Sequence, residues 1–243
     1  MSVSLVIIAI HEEPYIFEFI NYYLRIGFDK IYIYDNTESN TLCGFNYYSN
    51  NKVQVIHFTG KQKQMPAYEH YLQNYRHLHK WTAIFDTDEF LVLKKHNNVH
   101  DFLNEYCENG GIAINWKIFG SSNLIQYSSV PVTKRFTKCN REVNKHIKMI
   151  FRSEHIIHLN NPHYFPCLHN VRDTNGNEVT SPFNENGPDD IVQLNHYFTK
   201  SYNEFQLKKN RGRADINSIR TDDDFNSHDF NNYTDETIKS FFS

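Results

Sequence analysis

The chain has 243 residues, enough to bury a substantial core, and its length suits one α/β domain. Its formal charge is −3, with 25 basic residues scattered among 28 acidic ones, which excludes the concentrated positive face of a nucleic-acid binder. The cysteines, Cys43, Cys107, Cys139 and Cys167, lie far apart, which excludes a zinc ribbon and a disulfide framework and predicts a reducing compartment.

Val3 to Ile10 is a continuous apolar run with β-branched residues, the pattern of a strand covered on both faces. It is too short for a membrane span and lacks a basic leader, so no membrane anchor or secretion signal is expected. After His11-Glu12-Glu13, Pro14 suits the first turn of a helix that carries Ile16, Ile20, Tyr23 and Leu24 on one face and stops at Gly27. Lys30 to Tyr34 is the next strand and runs into the polar turn Asp35 to Ser39. Val53, Val55 and Ile56 mark a third strand, and residues 65–79 place Met65, Tyr68, Leu72 and Tyr75 at helical spacing.

A fourth strand then arrives in WTAIFDTDEFLVL, residues 81–93, where Ala83-Ile84-Phe85 delivers Asp86, Asp88 and Glu89 into a short acidic turn. In extended backbone residues i and i+2 point the same way, so Asp86 and Asp88 can address one ligand together. Two carboxylates suit a hard divalent cation that also holds substrate phosphates; the plain alternative is a solvated loop after a core strand. Alternating strand and helix predict a mostly parallel sheet flanked by helices, with ligands beyond the carboxyl ends of the strands. His11 to Glu13, Asp35 to Ser39 and Asp86 to Glu89 all fall at that edge.

Further on, Val99 to Tyr106 reads as a short helix closed by Gly110-Gly111, and Ile112 to Trp116 as a strand. Residues 118–123, IFGSSN, form either a tight loop or a contact that brings Gly120, Ser121 and Trp116 to a sugar. VPVTKRF and HIKMIF alternate like a hairpin pair, with Lys148 and Arg152 as cations near it or as ordinary surface charge. Residues 159–190 read as a long loop, Ile191 to Tyr197 as a last strand, and 200–211 as a helix with Phe205 inward and its basic residues outward. Asp222 to Asp224 read as a solvated helix start.

Five blocks in this order carry a resemblance: EEPYIFEFINYYLRIGFDKIYIYDNTES, Gln64-x-x-Ala67-Tyr68-x-His70, WTAIFDTDEFLVL, INWKIFGSSN and HYFTKSYNEFQLKKNRG. Over residues 5 to 212 the chain resembles the family 92-like and family 2-like glycosyltransferases, departing where members often have Asn-Glu and this chain has Glu12-Glu13. The resemblance implies an α/β fold of the GT-A type, here a single domain over 1–243. Residues 1–95 are its nucleotide-binding half, 96–212 its acceptor half and 213–243 a C-terminal helical tail. It implies transfer of a sugar from a nucleotide-sugar donor, UDP-linked, to a glycan hydroxyl with inversion, helped by Mn2+ or Mg2+ on Asp86, Asp88 and His196. Ala9, His11, Glu13, Asp35, Gln64, Asp86 and Lys148 are the expected nucleotide contacts. Glu89, His163 and Asp189, beside Asp190, are the candidates for the base that takes the acceptor's proton. The expected setting is the cytoplasm of a bacterium, or of a host cell if the source is viral.

Three rival readings stand beside this one. A sugar-phosphate nucleotidyltransferase is expected to carry a glycine-rich phosphate loop after the first strand, and AIHEEPY has no glycine. A non-catalytic sugar-nucleotide or glycan-binding module is opposed by the presence of Asp86, Asp88 and His196 together. A zinc site from His155, His158, His163 and His169 matches no standard spacing.

Overall fold

The computed structural model describes residues 2–46, 48–213 and 218–242. The first half runs β1 (Val3–Ala9), α1 (Glu13–Arg25), β2 (Lys30–Asp35), α2 (Tyr48–Asn51), β3 (Val53–His57), α3 (Gln64–Asn74) and β4 (Trp81–Ile84). The second runs β5 (Glu89–Leu93), α4 (Val99–Glu105), β6 (Gly111–Ile118), α5 (Val132–Arg135), β7 (Lys138–Cys139), β8 (Ile147–Arg152) and β9 (Val171–Arg172). It closes with β10 (Val192–His196), α6 (Tyr202–Asn210), α7 (Asp222–Asn226), β11 (Tyr233–Thr234) and a 3-10 turn at Thr237–Phe242. α2 is a single left-handed turn, with Ser49 and Asn50 at φ 53° and 57°.

The main sheet has the order β3-β2-β1-β4-β8-β6-β10-β5, with β9 added on β6. Five of its pairings are parallel and three, β4 with β8, β8 with β6 and β10 with β5, are antiparallel. The continuous apolar run of β1 is explained by burial on both faces. Val3, Leu5 and Ile7 pack with Ile16, Phe19, Ile20 and Tyr23 of α1, whereas Val6 and Ile8 pack with Ala67, Tyr68 and Tyr71 of α3. Each large side chain so buried contributes about 1.5–3 kcal/mol. Pro14 opens α1, and Gly27, at φ +101°, ends it in a conformation that L side chains rarely adopt.

Two expectations are corrected. VPVTKRF does not pair with HIKMIF: residues 132–135 form the one-turn helix α5, whose Val132 and Thr133 N–H groups donate to the Glu18 carboxylate at 2.7 and 3.0 Å. HIKMIF supplies β8, which lies between β4 and β6 in the middle of the sheet. The extended backbone that would point Asp86 and Asp88 the same way is also absent: the chain turns at Thr87-Asp88, and β5 leaves to pair with β10 at the far edge. Among the described residues no helix is long and apolar enough to cross a membrane.

Register brings the site together. Ile84 at the end of β4 lies opposite Met149 of β8, so Lys148 at the start of β8 stands beside the acidic turn. Lys148 in turn pairs with Ile114 of β6, Trp116 of β6 pairs with Leu194 of β10, and His196 at the end of β10 pairs with Glu89. Five chain segments thereby converge on one end of the sheet.

Candidate active site

At that end lies an open cleft of about 190 Å3. Its floor is formed by Gln64, Asp86, Asp88, Trp116, Lys148 and His196. His163 and Phe198 form a wall, and Lys208 of α6 and Arg211, which follows its last turn, stand on another side.

The acidic turn is held from inside. Glu89 accepts the Asp86 N–H through Oε2 at 2.8 Å, and the Glu89 N–H donates to the Asp86 carbonyl at 3.0 Å. Tyr197 N–H donates to the Asp88 carbonyl at 2.8 Å, tying the turn to the end of β10. Because residues 87 and 88 turn, Asp86 and Asp88 do not share one partner as extended backbone predicts. Asp86 Oδ2 lies 3.0 Å from Lys148 Nζ, while its Oδ1 accepts from Gln64 Nε2 at 3.2 Å. Asp88 Oδ2 accepts from Lys208 Nζ at 2.6 Å, and its Oδ1 lies 3.6 Å from His196 Nε2.

The electrostatics follow from these pairs. Burial by itself raises the Asp88 carboxyl, but the Lys208 ammonium and then His196 outweigh it and hold it well below the usual carboxylate range. Burial pulls Lys208 down to about 8, against the attraction of Asp88. Burial also lowers Lys148, but Asp86 and then Glu89 outweigh it and keep the ammonium above its ordinary value. Burial pushes the Glu89 carboxyl well up; Lys148 opposes this and Asp86 adds to it. Around the same end of the sheet, Glu89 Oε1, Trp116 Nε1 and His196 Nδ1 are buried polar atoms without a hydrogen-bond partner.

The expected base candidates separate. Glu89 is 0 % exposed and holds the turn from beneath. Asp189 precedes β10 at the end opposite His196 and lies 3.6 Å from Lys94 and 3.4 Å from Lys117, facing a different pocket. Asp190 is paired with Lys95 at 2.9 Å on the surface beside it. His163 lines the cleft. Its Nδ1 lies 3.1 Å from the Ile147 carbonyl, which only accepts, so Nδ1 carries the proton and Nε2 keeps a lone pair. Burial and then the Lys148 charge lower His163 to about 4.

The expected nucleotide and sugar contacts divide as well. Gln64, Asp86 and Lys148 line the cleft, and Lys148 is buried rather than surface charge. Arg152, by contrast, reaches outward to Glu154 at 2.6 Å. Ala9 is buried in β1, and Asp35 is spent on its own turn, where it accepts from Thr37 N–H at 2.9 Å and Leu42 N–H at 2.9 Å. His11 and Glu13 face a neighbouring groove beside α6, and Glu13 accepts from the Thr41 hydroxyl. Trp116 lines the cleft, packed 4.2 Å from His196, 5.0 Å from His163 and 5.1 Å from His146 between ring centres. Gly120 and Ser121 do not reach it; they bond to the C-terminal segment, Gly120 N–H to Phe230 O at 3.1 Å and Ser121 N–H to Asp229 at 2.6 Å.

Lys208, Arg211 and Glu12 are the residues the sequence reading missed. Arg211 pairs with Glu12, which is buried, so the departure at Glu12-Glu13 anchors the end of α6. A signal for Lys208 was present: Ser201 and Glu204 form a capping box that fixes the start of α6, and Lys208 follows inward-facing Phe205 by one helical turn. α6 is further fixed by Glu204, which takes Arg135 at 2.7 and 2.8 Å and the Tyr15 hydroxyl at 2.9 Å.

Among the described residues no group of three or more His, Cys, Asp or Glu is placed to hold a metal ion. The pair Asp88 Oδ1 and His196 Nε2, 3.6 Å apart, nevertheless fits two neighbouring ligand positions on a cation whose other ligands come from substrate phosphates. Asp86 is outside that pair.

The family model described as Glycosyltransferase family 92 matches residues 8–238. No curated protein matches the chain. Among solved structures, 4-diphosphocytidyl-2C-methyl-D-erythritol synthase from Anaerococcus prevotii is similar at 8% identity and a TM-score of 0.40, over 74% of this chain and 93% of that one. HddC from Yersinia pseudotuberculosis is similar at 9% identity and a TM-score of 0.41, over 66% of this chain and 81% of that one. Its complex with GMP-PN gives 10% identity and a TM-score of 0.40 over the same shares.

Proposed function

The chain belongs to glycosyltransferase family 92, and from that premise we propose that the cleft binds a nucleotide-sugar, UDP-linked, and transfers its sugar to a glycan hydroxyl with inversion. The observation that carries this reading is the grouping of Asp88, His196, Lys148 and Lys208 where five segments meet at one end of the sheet. We assign Asp88 and His196 as the protein ligands of a divalent cation, Mn2+ or Mg2+. Such a cation, when bound, supplies positive charge to the diphosphate leaving group.

The chain's own residues supply the rest. Lys148, fixed by Asp86 and sealed in the floor, sets a positive charge at the donor side that costs no reorganisation during the reaction. Trp116 Nε1, buried without a partner, offers a donor to a sugar hydroxyl. The acceptor oxygen attacks the anomeric carbon, the bond from that carbon to the diphosphate oxygen breaks, and the electron pair leaves with the nucleoside diphosphate. The acceptor's proton passes to Nε2 of His163, whose tautomer the Ile147 carbonyl fixes. The free thiols of Cys43, Cys107, Cys139 and Cys167 support a reducing, cytoplasmic setting.

Incubation with a panel of UDP and GDP sugars, Mn2+ and glycan acceptors tests the reading. Release of nucleoside diphosphate from at least one donor is expected. No release and no binding from any donor would overturn it.

A further inference from the structure

Lys208 occupies a position that the transfer reaction alone does not explain. It comes from α6, 120 residues after Asp88, yet it is buried to 8 % exposure and donates to Asp88 Oδ2 at 2.6 Å. A second donor of the same ammonium goes to the Phe198 carbonyl at 3.0 Å, and the ammonium lies 4.1 Å over the Phe198 ring. An ammonium has three donors, and these two contacts account for two of them. The nitrogen therefore lies on the carboxylate that faces His196, at the wall of the donor cleft.

We propose that Lys208 is an exchangeable counter-ion that guards the cation site: it neutralises Asp88 until a diphosphate arrives, then shares its charge with that diphosphate and releases Asp88 to bind the metal. The inference rests on the donor reading above. Its physical basis is charge balance. A dication approaching without donor meets a carboxylate whose charge is already cancelled at 2.6 Å, so the pair attracts it weakly. A diphosphate brings new negative charge to the wall, takes the third donor of the ammonium and restores Asp88 as a ligand. Metal and diphosphate then favour each other's binding reciprocally, by a coupling of the size usual for linked sites. The anchoring of α6 by Glu12–Arg211 at one end and Glu204–Arg135 at the other keeps the Lys208 backbone in place during the exchange.

The opposite signs of two affinities test this. Mn2+ alone is titrated by electron paramagnetic resonance, and inorganic diphosphate is titrated by calorimetry at fixed excess Mn2+. Lys208→Met is expected to bind Mn2+ alone about tenfold more tightly than the unsubstituted protein and to bind diphosphate about tenfold more weakly. Lys208→Arg, which keeps the charge and guards against a folding artefact, is expected to stay close to the unsubstituted protein in both. If Lys208→Met leaves both affinities unchanged, or weakens both, the counter-ion role is overturned while the donor reading stands. If the unsubstituted protein binds neither Mn2+ nor diphosphate, the donor reading falls and this inference with it.

Discussion

Lys148 Nζ lies 3.0 Å from Asp86 Oδ2 and 3.9 Å from Glu89 Oε1, so one buried ammonium from β8 faces both carboxylates that flank the acidic turn. The turn and the middle of the sheet are therefore one electrostatic unit. Lys148→Met takes the 3.0 Å cation from Asp86 and the charge that opposes burial at Glu89, and breaking a buried pair costs up to about 3–5 kcal/mol. Urea unfolding should register that loss, and Lys148→Arg should recover part of it. A Met variant as stable as the unsubstituted protein would contradict the assignment.

Glu89 closes the turn from beneath, where it accepts the Asp86 N–H. Glu89→Gln keeps an oxygen that accepts the Asp86 N–H, so transfer should fall by less than about tenfold, whereas loss of a general base costs about 10²–10⁴ in rate. A drop in kcat of the larger size, with the fold intact by circular dichroism, would return Glu89 to the chemistry.

His163 and Asp189 make a matched comparison. His163→Asn should lower kcat by about 10²–10⁴ with little change in KM for the donor. Asp189→Asn, at the other end of β10, should leave kcat unchanged. The reverse pattern would exchange their roles.

How much of this was legible in the chain varies by element. β1 to β4 were readable because each is a short apolar run ended by polar residues, and both faces of the sheet are covered. β8 was not placed, because its neighbours β4 and β6 are fixed by pairing across tens of residues rather than by a local turn. Asp189 adjoins the last strand in the chain, but β10 runs toward the cleft, so the residue before it starts at the far end. Asp86 and Asp88 were found by type and spacing, yet their separate lysines depended on the turn at Thr87-Asp88. Lys208 carries a charge that ordinarily faces solvent, although its spacing from Phe205 places it inside.

The clamp on α6 predicts a dependence on pH. Burial raises the Glu204 carboxyl, but hydrogen bonds from Arg135 and Ser201 outweigh it, so its folded value lies below the ordinary 4.5. A depressed carboxyl contributes stability that is fully present above the unfolded value and is lost as pH falls through the folded one. Stability should therefore decline as pH drops below about 4.5, and Arg135→Met should flatten that decline. Unfolding midpoints in urea across the acid range measure it; an unchanged slope in the variant would show that the pair is not the source.

The most direct measurement is a crystal of the protein soaked with UDP and Mn2+. The account predicts an anomalous peak between Asp88 Oδ1 and His196 Nε2, with the diphosphate against that ion and beside Lys208. Clear nucleotide density elsewhere on the protein, or a fully occupied nucleotide in the cleft with no ion between those two residues, would contradict it.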